Sequence, residues 1–176
     1  MLLNSACLET ENMTIFVKNK HTLQIDEFKF RCCIGKKGST RAKKEGDKKT
    51  PKGIFSIENL YFRKDRKRKP FTFLKCVEIN NDMGWCDDIR YPKKYNRLFT
   101  IKKNIKHEKL KRKDYKYDLM IPIKYNFKKP VTGKGSCIFI HLTKNYKPTA
   151  GCVALKEKDF LIMLKLIKKN SKIKIF

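Results

Sequence analysis

Acidic residues are scarce in this chain of 176: 17 Asp and Glu stand against 44 Lys and Arg, a formal charge of +27. Such an imbalance excludes a polyanionic surface and favours anionic partners, whether nucleic acid, acidic lipid or an anionic wall polymer. Lysine far outnumbers arginine and the excess is spread over the chain, so no specific nucleic-acid binding is expected. Long apolar runs are also missing, and none approaches the ~18 residues of a membrane span. Residues 1–12 lack Lys and Arg, start on only two leucines and soon reach Glu9 and Glu11, so they do not form an export signal. They read as a disordered leader, with a single domain expected over 13–176.

No C-x-x-C occurs among the seven cysteines, at positions 7, 32, 33, 76, 86, 137 and 152, and no His–Cys pair has zinc-site spacing. Neither a metal nor another cofactor is indicated. Adjacent Cys32 and Cys33 would point to opposite faces of a strand, which argues against a mutual bridge. Most of these thiols read as small core hydrophobes of a reduced chain. Hydrophobic residues at 40% and aromatics at 11% are enough for a core, and a chain of this length buries roughly 70% of its unfolded surface without staples.

Strand signals dominate what is present. TIFV (14–17) and HTLQI (21–25) flank a short polar turn, and FKFRCCIG (28–35) follows. Residues 36–50 read as a polar loop, TPKG (50–53) as a type I turn, and IFSIENLYF (54–62) as a β-rich run. RKDRKRK (63–69) reads as a solvated hairpin tip, 71–79 as a strand, and 80–97 as a loop holding the only tryptophan, Trp85. Eight basic residues over 102–116, with Ile105 and Leu110, suggest a short amphipathic helix. A strand is expected over 117–125, with Pro122 marking an edge or a bulge. KEKDFLIMLKLIKK (156–169) carries acids in its first turn, Lys in its last and an apolar stripe, and predicts a helix before a final strand at 172–176.

The stretch CIFIHLTKNYKPTAGCVAL (137–155) organises the rest. His141 lies in an apolar run and Cys152 follows Gly151 in a Pro/Gly turn, so two extended runs folding back would bring them together. Alternation places Cys137, Phe139 and His141 on one face and Ile138, Ile140 and Leu142 on the other. A free thiol is only slightly ionised at neutral pH, and a neighbouring imidazole that takes its proton forms an ion pair and lowers its pKa. Cys152 is thus a candidate nucleophile and His141 its base, although a buried thiol and a satisfied core histidine fit the same pattern. The backbone N–H groups of Gly151 and Cys152 are candidates for an oxyanion hole. A carbonyl from Gly135 or Ser136 is a candidate to orient the imidazole, and Ser136 and Thr149 are candidate substrate contacts.

HLTKNYKPTAGCVAL resembles the catalytic segment of the L,D-transpeptidase (YkuD-type) family, a strand histidine followed by Ser/Thr-x-Gly-Cys-hydrophobic. EGDKKTPKGIF (45–55), GWCDD with YNR (84–88, 95–97), YDLMIPIKYN (117–126) and GKGSCIFIHL (133–142) resemble one branch of that family in order and spacing. Many members carry His where this chain has Ala150, and Arg where it has Ala154. The resemblance implies a mostly β, sandwich-like fold with short helices, acting on peptidoglycan stem peptides in the cell envelope. Cys152 would attack the carbonyl of the third stem residue and expel terminal D-alanine; an amine acceptor or water would resolve the thioacyl enzyme. It also implies acylation of Cys152 by carbapenems. A peptidase or amidase on the same fold, and a non-enzymatic basic module binding an anionic polymer, are the competing readings; a monomer is the expected state.

Overall fold

The structure, a computed structural model, describes residues 13–176; the leader expected over 1–12 lies outside them. Strands β1 (Thr14–Val17), β2 (Thr22–Ile25) and β3 (Phe28–Cys33) form an antiparallel meander. Two-residue strands β4 (Ser39–Thr40) and β5 (Thr50–Pro51) pair in parallel across the loop 41–49. Next come β6 (Gly53–Ser56), β7 (Leu60–Phe62) and β8 (Cys76–Glu78). β9 (Met83–Cys86), β10 (Leu98–Thr100) and β11 (His107–Lys109) make a separate sheet with β9 in the middle. The chain ends with β12 (Leu119–Pro122), β13 (Phe139–Leu142), β14 (Val153–Leu155), helix α1 (Glu157–Leu166) and β15 (Lys172–Ile175).

Ten strands form the main sheet, in the order β6-β15-β1-β2-β3-β14-β13-β12-β7-β8. β6 and β7 stand near opposite ends of that order, yet only residues 57–59 join them. Three extended residues span about 10 Å, so the sheet has to curl until its ends meet. Lys124 N–H donates to Ser56 O at 2.8 Å and Ile57 bridges Ile123 across the seam.

Period-two patterning sets which side of the sheet is dry. Ile15 and Val17 of β1, Leu23 and Ile25 of β2, and Ile140 and Leu142 of β13 enter one core with Phe160, Met163, Leu164 and Ile167. Those last four recur at helical spacing and give α1 one apolar face, while Glu157 and Asp159 in its first turn and Lys165 in its last suit the helix dipole. The opposite face of β12 and β13 sends Met120 and Phe139 into a second cluster with Tyr61, Trp85, Leu110, Tyr117 and Cys152.

The fold is mostly strand with one short helix on a curled sheet, as expected, but several local expectations are corrected. Residues 102–116 form no helix. Ile105 and Leu110 are buried but five positions apart, off the helical stripe, and 107–109 pairs as β11 with β9. The presumed loop 80–97 contains β9 itself. Residues 50–53 run extended rather than turning, because Thr50 and Pro51 pair with Ser39 and Thr40. β7 and β8 are parallel, so 63–75 is a crossover and not a hairpin. Pro122 lies on an interior strand, but β7 pairs only with Leu119 and Met120, so its missing N–H falls beyond that ladder.

Phe160 is fully buried where α1 meets the sheet, whereas Ile162 is 41% exposed. Phe160→Ala is expected to cost about 3–5 kcal/mol, and Ile162→Ala less than about 0.5 kcal/mol, read from urea unfolding midpoints. Equal losses would mean that the helix is not seated through this ring.

Candidate active site

β13 and β14 run parallel, with Ile140 opposite Val153, His141 opposite Ala154 and Leu142 opposite Leu155. The fold-back expected for 137–155 is therefore a crossover rather than a hairpin. Cys152 precedes β14 by one residue, and its Sγ accepts Phe139 N–H at 3.4 Å. By alternation, Cys152 and Ala154 share the face of Phe139 and His141. The thiol and imidazole thus stand on one side of adjacent strands, offset diagonally by two residues, or ~8 Å between Cα atoms.

Local hydrogen bonds fix this turn. Thr149 Oγ1 donates to Cys152 O at 2.6 Å and accepts Gly151 N–H at 3.1 Å. Thr149 N–H donates to Ile34 O, and Lys36 N–H to Thr149 O, both at 2.9 Å, tying the turn to the end of β3. Gly151 has φ +149°, and a Cβ there would come within 2.9 Å of Lys49 O; only glycine fits. With its N–H engaged by Thr149, Gly151 does not present that amide to an oxyanion in this state, which corrects the expectation for it.

Cys152 is 8% exposed and packs among Trp85, Tyr117 and Phe139. Its thiol donates to Cys137 O at 3.2 Å rather than to the imidazole. Burial pushes the Cys152 pKa up to about 12; the Phe139 amide and, more weakly, Lys43 and Arg112 oppose the rise, and Glu108 adds to it. Desolvation lowers the His141 pKa to about 4. Both shifts disfavour the ion pair expected from the sequence.

His141 Nδ1 lies 2.9 Å from Leu142 O. A carbonyl only accepts, so Nδ1 carries the proton and Nε2 is left as the basic nitrogen. The orienting carbonyl is thus Leu142's and not that of Gly135 or Ser136. Gly135 O accepts Asn126 Nδ2–H at 2.9 Å, and the Ser136 hydroxyl donates to Glu45 at 2.7 Å. The Tyr117 ring meets His141 edge-on at 5.5 Å and Phe139 at 5.7 Å.

A cleft of about 230 Å³ reaches Cys152, and Lys43, Glu45, Asp87, Glu108 and Tyr117 also line it; His141 does not line it but meets the Tyr117 ring. Asp47 shapes one wall: it pairs with Lys43 at 2.6 Å and accepts the backbone N–H groups of Lys44 and Lys49. Buried Asn96 ties the opposite wall together. Its Oδ1 accepts the Trp85 indole at 2.9 Å and Cys137 N–H at 3.2 Å, and its Nδ2 donates to Tyr125 O and Asn126 O. Tyr95 hydrogen-bonds Glu45, which also accepts from Ser136.

Glu45, Asp87, Glu108, Tyr117, Lys43 and Asn96 were not singled out as site residues from the sequence, because all but Glu108, on the short strand β11, lie in loops, where polar residues carry no periodicity. GWCDD and YNR did mark the neighbourhood of Trp85 and Asn96 by resemblance. Ala150 lines the cleft, and Ala154 is completely buried opposite His141. Among the described residues, no three His, Cys, Asp or Glu are grouped to hold a metal ion.

The L,D-transpeptidase catalytic domain family (YkuD) matches residues 7–175, and the chain belongs to it. Bd1075 of Bdellovibrio bacteriovorus is similar in structure at TM-score 0.49 and 16% identity, over 94% of this chain and 48% of that one. An L,D-transpeptidase from Mycobacterium smegmatis aligns at TM-score 0.43 and 9% identity, over 94% of this chain and 58% of that one. The chain spans about half the length of these solved structures. No curated protein matches it.

Because folded His141 resists protonation until about pH 4 while an unfolded histidine protonates near 6.5, the unfolded state binds more protons between those values. Stability from this group is complete above pH 6.5 and is lost as pH falls to 4, by about 3 kcal/mol. In urea titrations, His141→Gln is expected to remove that part of the acid slope; an unchanged slope would place its origin elsewhere.

Proposed function

We propose that the protein is a cysteine acyltransferase acting on peptidoglycan stem peptides, with Cys152 as nucleophile and His141 as general base. One observation carries this reading. The Cys152 thiol opens on a cleft from the same sheet face as an imidazole whose Nδ1–H is held by Leu142 O, leaving Nε2 basic. Family membership supplies the reaction class.

In the first half-reaction, the thiol proton passes to His141 Nε2 as Sγ bonds to the carbonyl carbon of the third stem residue. The tetrahedral oxyanion collapses, the bond to the terminal D-alanine nitrogen breaks, and the imidazolium protonates the leaving amine. A thioester on Cys152 remains. In the second, an acceptor amine attacks the thioester and gives its proton to His141, and the thiolate leaves and is reprotonated. Water in place of the amine gives hydrolysis. With the Gly151 amide engaged by Thr149, the Cys152 N–H is the remaining backbone candidate for the oxyanion.

The elevated thiol pKa is compatible with this sequence, because proton transfer accompanies attack and no standing thiolate is needed. Glu45, Asp87 and Glu108 place carboxylates on the cleft beside Lys43 and Lys48, with Glu108 paired to Arg112 and Asp87 to Lys106, so the cleft is less cationic than the rest of the surface. Asp87 Oδ1 is buried with no hydrogen-bond partner among the described residues, while Asp87 Oδ2 pairs with Lys106 at 3.1 Å.

Cys152→Ala is expected to abolish both the carbapenem adduct and the release of D-alanine from purified muropeptides, read by mass spectrometry. Cys86→Ala is expected to keep both. An adduct surviving on the Cys152→Ala protein would remove the nucleophile; products with and without an added amine distinguish joining from trimming.

A further inference from the structure

The crossover 63–75 is held stiffly at its base. Arg63 is buried, with its guanidinium on Asp65 at 2.6 and 2.7 Å and on Arg112 O at 2.6 Å. Arg66 reaches Asp118, Asp114 O and Lys113 O at 2.9–3.0 Å, and Lys67 pairs with Glu157. At the far end Leu74 is buried in the main core.

Between these anchors the loop presents a different surface. Phe71 is 70% exposed and Phe73 59%, their rings packed edge to face at 5.9 Å. Two-residue alternation puts Phe71, Phe73 and Lys75 outward while Leu74 turns in. Arg68, Lys69 and Lys75 are exposed and make no ion pair among the described residues. Lys64 pairs only with the solvent-exposed Glu78. A loop anchored at both ends thus exposes two adjacent large apolar rings, flanked in sequence by three cations without an ion pair among the described residues.

Few partners satisfy both halves of that surface. A water-soluble polyanion would engage the cations and leave the phenylalanines wet, and an apolar protein groove would do the reverse. An anionic bilayer offers phosphates at the level of the cations and an acyl boundary just beneath, where aromatic side chains partition. The chain's +27 charge adds long-range attraction to such a surface.

We propose that residues 63–75 dock the protein on anionic phospholipid bilayers, with Phe71 and Phe73 at the headgroup–acyl boundary and Arg68, Lys69 and Lys75 on lipid phosphates. The contact is peripheral, and no helix of the described residues is long and apolar enough to cross a membrane.

The test is sedimentation of the full chain with phosphatidylglycerol–phosphatidylcholine vesicles, against phosphatidylcholine alone, in physiological salt. Binding to the anionic vesicles is expected. Phe71→Ser with Phe73→Ser is expected to weaken it at least about tenfold with an unchanged melting temperature, since both rings are exposed. Reversing Arg68, Lys69 and Lys75 to Glu is expected to abolish it, and Phe71→Trp to shift its emission to the blue on vesicles. Cys152→Ala is expected to bind as the parent does, which separates this surface from the acyl-transfer reading. Parental binding by the double Ser variant, or an unmoved Phe71→Trp emission, would overturn the proposal. Binding to an oligonucleotide that falls with the Ser pair, without vesicle binding, would overturn it in favour of nucleic acid.

Discussion

The parallel register of β13 against β14 is the constraint on which the site depends. It sets Ala154 opposite His141 and leaves Cys152 diagonal to the imidazole on the same face. A slip of one residue would send the thiol into the aliphatic core and Val153 into the cleft. Parallel neighbours ordinarily need a helical crossover of a dozen or more residues; here 143–152 is shorter and irregular. Its stiffness comes from polar bonds. Thr143 Oγ1 accepts Tyr146 N–H, the Cys33 thiol donates to Lys147 O, and Thr149 serves Gly151, Cys152, Ile34 and Lys36. Gly151 then lies so close to Lys49 O that a Cβ there would come within 2.9 Å of it, which brings the turn before Cys152 against the loop 41–49.

What the sequence made legible follows from physical periodicity. The first three strands, β13 and α1 emerged because their apolar residues repeat at two or at three and four, and a core reads that pattern directly. His141 and Cys152 stood out as polar residues embedded in such patterns. The second sheet did not, because β9 is short, holds Gly84 and Cys86, and is stabilised from its flanks by Asn96 and Asp88 rather than by alternation. The parallel direction of β7 and β8 was equally hidden. The crossover between them is anchored by side chains distant in sequence, Arg63 reaching Arg112 and Arg66 reaching Asp118, which no local window contains. The desolvation that opposes an ion pair was hidden for the same reason. Only the assembled cluster of Trp85, Tyr117 and Phe139 reveals how little water reaches the thiol.

Burial has a consequence for when chemistry can begin. A standing thiolate at the cleft would be stabilised by the chain's positive field and would react with any electrophile that entered. Desolvation instead raises the Cys152 thiol and lowers the His141 imidazole, so burial favours the uncharged form of both groups. Separating charge between them is unfavourable in that apolar surround until something accepts the negative end. A carbonyl seated against the turn would do so by taking the charge onto oxygen as Sγ attacks, with the His141 Nδ1–H already held by Leu142 O to stabilise the positive end. Carboxylates of Glu45, Asp87 and Glu108 offset the lysines on this cleft, so the excess cations act elsewhere on the surface. On the proposed function, attraction to an anionic partner and activation of the thiol would thereby be kept apart. The first would belong to exposed lysines and arginines at long range, and the second to the buried Cys152 and His141, which would ionise only against a bound acyl donor.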